Sequence, residues 1–447
     1  MTDRARTDTI AAPATPPGHG GIGIIRVSGP DAGTIADLLA GPRPAPHQAA
    51  LRAFTGADGH AIDRGLALWL PGPGSYTGED TLELHGHGGP AVIDALFRRV
   101  LELGARAAAP GEFTERAFLN GRLDLAQAEA VADLIETSDQ AGARAAMRSL
   151  EGAFSHRVDR LIEQLTGLRA WIEATLDFPE EEIDYLADPE LAERMEALRS
   201  DLAGTRAAAV EGRRLVEGQA VVIAGAPNAG KSSLLNRLAG IEAAIVTEVP
   251  GTTRDVLRES IRLAGVPLTV IDTAGLRDTD DPVETEGVRR ARAAAESADR
   301  ILLIIDSTDP RANRPALPAD VPVDMVRNKI DLSGETAGES RDAEGGRVFG
   351  VSAATGAGLD ALAGHLQRVL GGTGGEGVFS ARRRHLDALE RAAAEIDAAA
   401  EEFHARAAGE LVAERLRRAQ DELGRITGRV TSEDLLGEIF GRFCIGK

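Results

Sequence analysis

The chain of 447 residues is 43% hydrophobic and 27% charged, a composition typical of a globular protein with more than one domain. Its net charge of −20 excludes charge-driven binding of a polyanion unless positive residues cluster locally, and an aromatic content of 3% leaves few rings for base stacking. One cysteine excludes an internal disulfide, and no run is apolar enough for a secretory signal or a membrane span, so we expect a cytoplasmic protein.

Residues 1–118 combine strand-like runs and one helical run with many glycines and prolines, which predicts an α+β domain. The strand-like runs are IGIIRVSG at 22–29 and LALWLPG at 66–72, and the helical run is PAVIDALFRRVLELG at 90–104. From 119 to 216 the sequence is Ala-rich and helical. Apolar residues recur at steps of three and four from Met147 to Ile172, which predicts one long helix with a buried face.

Residues 217–372 alternate apolar runs with segments of helix length, the order expected for a parallel sheet with crossover helices. The runs are AVVIAG at 220–225, PLTVIDTAG at 267–275, RILLIIDS at 300–307, VDMVRNKID at 323–331 and RVFGVSA at 347–353. This part of the chain is therefore predicted to be an α/β domain.

A glycine-rich linker is predicted at 371–377. After it the Ala-rich helical pattern returns, and residues 373–447 are assigned to the second part of the helical domain. One helix face is indicated by Leu386, Leu389, Ile396 and Phe403. A last short helix is predicted to begin with Thr431 or Ser432 as its N-cap and to end near Gly441. We therefore predict a multidomain chain in which an inserted α/β domain interrupts an all-α helical domain.

The segment GAPNAGKSS fits the phosphate-binding pattern G-x-x-x-x-G-K-[ST] and lies between a predicted strand and a predicted helix. Gly225 and Gly230 let backbone N–H groups wrap the phosphates of a nucleotide. Lys231 is expected to neutralise the β and γ phosphates, and Ser232 to bind Mg²⁺. An ordinary strand–turn–helix connection is the alternative, and the motifs that follow favour a Ras-like nucleotide-binding domain of the P-loop class.

Later motifs assign the other parts of a nucleotide site. DTAG at 272–275 places Asp272 near the metal and the Gly275 amide near the γ-phosphate, and GTTRD at 251–255 offers Thr253 as a second Mg²⁺ ligand. NKID at 328–331 supplies Asn328 and Asp331 for the base. A carboxylate accepts both N1–H and N2–H of guanine, whereas adenine would leave it without a partner, so the motif predicts GTP.

SAATG at 352–356 would complete the pocket around the guanine oxygen. The predicted GTP-binding residues are Asn228, Ala229, Gly230, Lys231, Ser232, Ser233, Thr247, Glu248, Val249, Pro250, Gly251, Thr252, Thr253, Asp272, Thr273, Ala274, Gly275, Asn328, Lys329, Asp331, Ser352 and Ala353.

The residue after Gly275 is Leu276, where GTPases of the Ras kind carry the glutamine that orients the attacking water. A leucine cannot orient water, so hydrolysis is either very slow or depends on another residue. Glu284 lies twelve residues beyond Asp272 and is a candidate. From the residues alone, a solvated carboxylate on an acidic loop is the alternative.

The chain resembles the MnmE (TrmE) family of GTPases that act in tRNA wobble-uridine modification. The resemblance covers nearly the whole chain and is carried by the nucleotide motifs and by ATPPGHGGIGIIRVSG, SYTGEDTLELHGHGGP, GEFTERAFLNGRLDLAQAEA, FPEEEID and the terminal FCIGK. It implies a homodimer whose N-terminal domain binds 5-formyl- or methylene-tetrahydrofolate. It also implies a FAD-containing partner, MnmG (GidA), in a heterotetramer or larger complex, with tRNA as the substrate and an aminomethyl or carboxymethylaminomethyl group added to C5 of uridine 34.

The resemblance implies that GTP hydrolysis drives conformational change and that Lys231 is catalytic together with Glu284 as the residue that orients water. A K⁺ ion takes the place of an arginine finger, and its expected ligands are Asn228, Thr247, Val249 and Thr252. Pro250 stands inside that loop and restricts Val249, a departure from the family pattern that bears on K⁺ binding.

The resemblance carries folate-binding roles over to Arg26, Glu83, Arg122 and Lys447. The chain has only three lysines, and two of them stand in nucleotide motifs that need a compact charge, which favours a functional role for the third, Lys447. Cys444 is either a small apolar side chain that packs the last helix or, as the resemblance implies, a catalytic residue near the folate.

Two alternatives for the whole chain stay open at this level. The first is a ribosome-assembly or signalling GTPase whose other domains dock RNA or protein, and the second is a folate-dependent transferase with the GTPase as a timer. Folate binding by the N-terminal domain separates the function implied by the family from the first alternative. The basic cluster 382–385 could contact tRNA or could be a solvated helix start.

Overall fold

The computed structural model describes most of the chain. The described residues are 8–137, 140–177, 189–216, 219–226, 228–239, 258–263, 266–272, 295–296, 298–309, 315, 317–342, 345–370, 378–405, 409–441 and 443–446. The predicted linker at 371–377 lies outside them. Two compact units emerge from the contacts of the chain: Met1–Glu136, Ala146–Arg206 and Arg384–Lys447 form one, and Thr137–Ala145 with Ala207–Arg383 form the other. The domain boundaries at 118, 216 and 372 stay predictions.

The N-terminal part of the first unit is a mixed sheet with helices on both faces. Its elements are β1 (Ile10–Pro13), β2 (Gly20–Ser28), α1 (Ala32–Ala40), β3 (Ala49–Thr55), β4 (Ala61–Leu70), β5 (Thr81–Gly88), α2 (Pro90–Glu102), β6 (Arg106–Ala107) and α3 (Glu112–Leu119). The strand order is β3-β4-β5-β2-β1-β6, antiparallel except for the β1–β6 pair. Helices α1 and α2 pack on one face of the sheet, and Phe113 of α3 packs on the other.

The alternation of side chains along β2 and β5 determines which of their residues pack into the apolar cluster on one face of the sheet. Ile25 and Val27 of β2 pack into the same apolar cluster as Leu82 and Leu84 of β5. Arg26, between two buried residues, therefore points to the opposite face, because successive side chains of a strand alternate.

Four helices follow, α4 (Leu125–Glu136), α5 (Gln140–Leu150), α6 (Ala153–Asp177) and α7 (Pro189–Val216). The single long helix predicted from Met147 to Ile172 is wrong, because α5 ends at Leu150 and α6 begins at Ala153. Gly152 between them has φ +90°, a left-handed conformation that ends a helix at little cost only in glycine. The buried face of α6 begins at Phe154, whereas Met147 of α5, the first residue of the predicted buried stripe, is exposed.

The second unit contains a seven-stranded sheet whose five central strands are parallel. Its elements are β7 (Gln219–Gly225), α8 (Lys231–Ala239), β8 (Arg258–Leu263), β9 (Val266–Asp272), β10 (Arg300–Asp306), β11 (Val323–Asn328), α9 (Ile330–Ser333), β12 (Gly338–Arg341), β13 (Arg347–Gly350) and α10 (Leu359–Leu370). The order is β12-β13-β11-β10-β7-β9-β8, with antiparallel strands at both edges. The predicted fold class is confirmed. Because parallel strands end at one edge, the residues that follow β7, β10 and β11 come together there.

The chain ends in α11 (Arg383–His404), α12 (Gly409–Thr427) and α13 (Glu433–Gly441). The four apolar residues predicted for one face of α11 are all buried. As predicted, Ser432 precedes the last helix, and its hydroxyl accepts a hydrogen bond from the Leu435 amide at 3.3 Å. No helix in the described ranges is both long enough and apolar enough to cross a membrane.

A buried charged cluster joins helix α4 to the start of α11. Glu129 of α4 is 2% exposed, and its carboxylate accepts hydrogen bonds from Arg384 (2.7 and 2.5 Å) and from His385 Nε2 (2.8 Å). Arg384 also donates to the carbonyl oxygens of Arg425 and Ile426 at the end of α12. The basic cluster 382–385 is therefore not simply a solvated helix start, because two of its members are bonded inside the helical part.

The charge of Glu129 should contribute to stability over the whole neutral range. Burial raises the pKa of its carboxyl, but His385 and Arg384 outweigh burial and hold this pKa far below its usual value. A depressed pKa in the folded state means that the contribution is complete above the unfolded pKa of about 4 and is lost only as the pH falls further.

Glu129→Gln should lower the free energy of unfolding by about 3 kcal/mol, because it leaves the Arg384 guanidinium in a largely buried site without its counter-charge. Amide hydrogen exchange in α4 and α11 measures this locally, and protection should fall in both helices. Glu414→Gln, which removes a surface carboxylate that pairs with Arg417 and Arg418, should leave exchange in these helices unchanged. Equal protection in both variants and the parent would contradict the structural role.

Candidate functional site

The phosphate-binding segment joins the end of β7 to the start of α8. Gly225, Asn228 and Gly230 all have positive φ values, of +154°, +64° and +90°. A Cβ on Gly225 would overlap the carbonyl oxygen of Ile304, and one on Gly230 would overlap Nδ2 of Asn328. Both glycines of the motif are therefore required by the packing of this loop against the ends of β10 and β11.

Lys231 is the first residue of α8 and is buried. Its Nζ donates to the carbonyl oxygens of Gly225 (3.0 Å) and Ala226 (3.1 Å), so the ammonium lies within the loop. Ser232 and Ser233 follow on the first turn and are exposed. The backbone N–H groups at a helix N-terminus, a lysine and a serine hydroxyl are the groups that hold phosphates and Mg²⁺ in this class of loop.

Asn328, the last residue of β11, connects this loop to the predicted base site. Its side chain is 2% exposed; Nδ2 donates to the Ala229 carbonyl at 2.9 Å, and Oδ1 accepts from the Ala353 amide at 3.0 Å. Ser352 is buried next to it and fixes the following turn, since its hydroxyl accepts from the Thr355 amide at 3.1 Å. The structure therefore brings the phosphate-binding segment, NKID and SAATG together. An amide nitrogen carries two hydrogens, so the predicted contact of Asn328 with the base needs no rearrangement of the Ala229 bond.

The remaining residues of the NKID motif surround the same edge of the sheet. Lys329 has φ +66° and precedes α9, and Asp331 lies exposed on the first turn of that helix. Asp272 is the last residue of β9, and its backbone pairs in register with Ile223, two residues before Gly225. The predicted metal-side and base-side residues thus belong to strand ends along one edge.

Asp306 is a charged residue at this edge that no sequence motif indicated. It ends β10, and its Oδ2 accepts a hydrogen bond from Lys329 Nζ at 2.6 Å. Its position as the last residue of the run RILLIID is a signal that could have found it, because β7, β9 and β11 each end at a residue of a predicted nucleotide motif.

Several predicted site residues lie outside the described residues. They are Thr247, Glu248, Val249, Pro250, Gly251, Thr252, Thr253, Thr273, Ala274, Gly275, Glu284 and Lys447. Of the predicted K⁺ ligands, the described one is Asn228, which is exposed and has the left-handed φ given above.

A second charged group lies on the N-terminal sheet, on the face opposite α1 and α2. Arg26 and Glu83 are register partners on β2 and β5, and Arg26 Nε and Nη2 each lie 2.9 Å from Glu83 Oε1. The other Glu83 oxygen lies 3.0 Å from His85 Nε2. The bond from His85, with the charge of Arg26, lowers the pKa of Glu83 despite partial burial, so this carboxylate is ionised at neutral pH. His85 was not predicted from the sequence, although a spacing of two places it on the same strand face as Glu83.

Aromatic rings complete this face of the sheet. The Arg26 guanidinium lies 5.5 Å from the centre of the Tyr76 ring and 5.8 Å from that of Phe113. Arg122 is exposed, and its stem packs beside Gly78, where a Cβ would come within 3.2 Å of Arg122 Cγ. A flat anionic heterocycle finds both stacking surfaces and polar partners in such a setting.

The C-terminal tail of the chain reaches the same sheet. A Cβ on Gly446 would overlap the carbonyl oxygen of Pro13, the β1 residue that pairs with Ile25 next to Arg26. The Cys444 carbonyl accepts a hydrogen bond from the Gly111 amide at 3.4 Å, while Cys444 itself is exposed. The packing role is taken by Phe443, which belongs to an apolar cluster with α4 and α13. Gly446 thus lies one strand away from Arg26, although the two residues are distant in sequence.

Comparison with known proteins adds two family matches. A family described as GTP-binding protein TrmE N-terminus matches residues 9–122, and one described as MnmE helical domain matches residues 125–444. Together the matched residues include the Arg26–Glu83 pair, the nucleotide motifs and the helices on both sides of those motifs.

Solved structures of other GTP-binding proteins are similar to part of the chain. One is Era of Aquifex aeolicus bound to GDP and aluminium fluoride, with 26% identity over 40% of this chain and 66% of that chain, at a TM-score of 0.25. Another is the G domain of the T. maritima FeoB iron transporter, with 25% identity over 34% of this chain and 97% of that chain, also at 0.25. At such TM-scores, neither likeness bears on function.

Proposed function

The chain belongs to the MnmE (TrmE) family, and from this premise we propose that it hydrolyses GTP to drive modification of the wobble uridine of tRNA. With a FAD-containing partner of the MnmG (GidA) type, it would add an aminomethyl or carboxymethylaminomethyl group to C5 of uridine 34. The carbon would come from 5-formyl- or methylene-tetrahydrofolate, and the reaction would take place in the cytoplasm. The observation that carries the proposal is the buried Asn328 side chain, which joins the phosphate loop to the base motifs within a chain that matches the family at both ends.

Within the proposed GTP site, each described motif has a distinct task. Lys231 and the N–H groups at the start of α8 would hold the β and γ phosphates, and Ser232 would bind Mg²⁺ together with Thr253. Asp331 would accept the two N–H groups of the guanine edge, which its exposed position permits. Mg²⁺ supplies charge neutralisation on the phosphate oxygens when it is bound.

The proposed monovalent-cation site consists of Asn228, Thr247, Val249 and Thr252. A fixed K⁺ beside the bridging oxygen would offset negative charge that develops during cleavage, which an arginine finger does in other GTPases. Replacing KCl by NaCl at equal ionic strength should therefore reduce the rate of GTP hydrolysis by about tenfold or more. Phosphate release measured under both conditions checks this, and equal rates would remove K⁺ from the proposal.

Glu284 is proposed to orient the attacking water, because Leu276 cannot do so. Glu284→Ala should lower kcat by about a hundredfold or more and leave the Kd for GTP unchanged, since water positioning belongs to the transition state and not to binding. Single-turnover hydrolysis and equilibrium binding give the two quantities. Asp281→Ala removes a carboxylate three positions earlier in the chain and serves as the acidic control, with kcat and Kd both expected to stay at the parent values. An unchanged kcat in Glu284→Ala would contradict this role and favour the alternative, a solvated carboxylate on an acidic loop.

The N-terminal sheet face is proposed as the folate site. Arg26, Glu83, Arg122 and Lys447 would bind the cofactor, with the Arg26–Glu83 pair on the pterin side of a molecule that has both donors and acceptors. The closeness of the tail to β1 supports the placement of Lys447 and Cys444 at this site. Cys444 is proposed as a catalytic residue because its exposure leaves it available to a bound one-carbon group.

The proposed assembly is a homodimer that joins the FAD-containing partner in a heterotetramer or larger complex. The most direct test of the function is mass spectrometry of wobble nucleosides from cells that lack this protein, with and without complementation by the parent chain or Lys231→Ala. The modified uridines should disappear, return with the parent chain and stay absent with the variant. Unchanged wobble uridines in the deficient cells would overturn the proposal and favour a ribosome-assembly or signalling role.

A further inference from the structure

We propose that Asp306 is a positioning residue for guanine binding, which acts by holding the side chain of Lys329 in place before the nucleotide arrives. This inference rests on the proposed function, since it presumes that the NKID motif receives a guanine base. It concerns a residue that belongs to none of the sequence motifs, and it follows from the contacts of β10 with its two neighbours.

The strand register places Asp306 at the centre of the site. In β10, Ile304 pairs with Gly225 at the start of the phosphate loop, and Asp306 pairs with Asn328 at the start of the base motif. The amide of Ser307 also donates to the Asn328 carbonyl at 2.9 Å, which continues the pairing one residue beyond the strand. Asp306 therefore lies between the element that would hold the phosphates and the element that would hold the base.

The ion pair with Lys329 has defined geometry on both sides. Lys329 adopts the left-handed conformation, and its Nζ lies 2.6 Å from Asp306 Oδ2. The other oxygen, Oδ1, accepts from the Thr308 amide at 2.9 Å and from the Thr308 hydroxyl at 2.6 Å. Because one oxygen is held by the turn that follows β10, the second is aimed at the lysine and cannot rotate away without loss of the Thr308 bonds.

The ion pair is partly buried, so the attraction between its two charges is screened less than that of a surface pair. The side chains of Lys329 and Asp306 are 31% and 16% exposed. Burial raises the pKa of Asp306, while the bonds from Lys329 and Thr308 lower it by more, so the carboxyl stays ionised at neutral pH. The Lys329 ammonium therefore faces a charged carboxylate.

An anchored ammonium determines where the rest of the lysine lies. With its backbone fixed after β11 and its Nζ fixed on β10, the four-carbon stem of Lys329 spans the gap between the two strand ends. Such a stem is an apolar surface on which a purine ring can lie, and its rotamer freedom is already lost before binding. Because the Lys329 ammonium pairs with Asp306, the exposed carboxylate of Asp331 stays available to accept the N–H groups of guanine.

The structure therefore predicts an effect on affinity and none on chemistry. Asp306→Ala should raise the Kd for GDP and for GTP by about three- to tenfold, the range expected when one long side chain must be ordered upon binding. The increase should come from faster dissociation, and kcat at saturating GTP should stay the same. Stopped-flow kinetics with a fluorescent guanine nucleotide, together with hydrolysis at saturation, separates these quantities.

The matched control is Asp309→Ala, which removes an exposed carboxylate three residues further along the same turn and should leave the Kd unchanged. Asp306→Asn keeps the shape and removes the charge, so it provides a second variant if the alanine variant unfolds. Melting temperatures close to that of the parent establish that each variant is folded.

A double-mutant cycle with Lys329→Met distinguishes positioning from a general structural role. If Asp306 acts through the lysine, Asp306→Ala should have no further effect on the Kd in the Lys329→Met background. A full effect in that background, an unchanged Kd in Asp306→Ala, or a loss of kcat at unchanged Kd would each overturn the inference. Failure of the parent protein to bind guanine nucleotides would instead contradict the proposed function itself, so the two failures are distinguishable.

Discussion

The organisation of the nucleotide site depends on the two hydrogen bonds of the buried Asn328 side chain. One bond reaches the carbonyl of Ala229 in the phosphate loop, and the other comes from the amide of Ala353 in the last motif. An asparagine can hold both because its amide supplies a donor and an acceptor in one plane. The phosphate loop and the base loops are therefore not independent, and Gly230 has to be glycine because the asparagine side chain occupies the position of its Cβ.

The first unit contains the proposed folate site, and a different buried interaction stabilises this unit. Glu129 connects helix α4 to Arg384 and His385 at the start of α11, far along the chain. The same helix α4 supports α13 and Phe443 through an apolar cluster, and the tail beyond Phe443 reaches β1. The polar anchor and the apolar support thus act on one helix, and the segment that follows Phe443 packs at Gly446 against Pro13 of β1.

The features that could be predicted best are those that a short stretch of residues determines. The phosphate loop is an example, because glycine, lysine and serine at fixed spacing between a strand and a helix specify its geometry locally. The parallel sheet and the buried face of α11 could be predicted from hydrophobic pattern for the same reason. The helix break at Gly152 could not be predicted from the hydrophobic pattern, because the spacing of apolar residues in the sequence continues across it. The pattern places Asp306 at a strand end and His85 on the face of Glu83, but the roles of these residues and of Glu129 could not be predicted, because they depend on partners that only the fold brings within reach, in one case from 255 residues away.

We propose that this strand edge binds guanine nucleotides, with Asp331 as the discriminating group. Calorimetric titration of the Mg²⁺-containing protein with GTP and with ATP tests it most directly. GTP should bind, and ATP should bind more weakly by a factor on the order of 10⁴, because adenine cannot donate two N–H groups to a carboxylate. Equal affinity for ATP and GTP, or no binding of either, would contradict it.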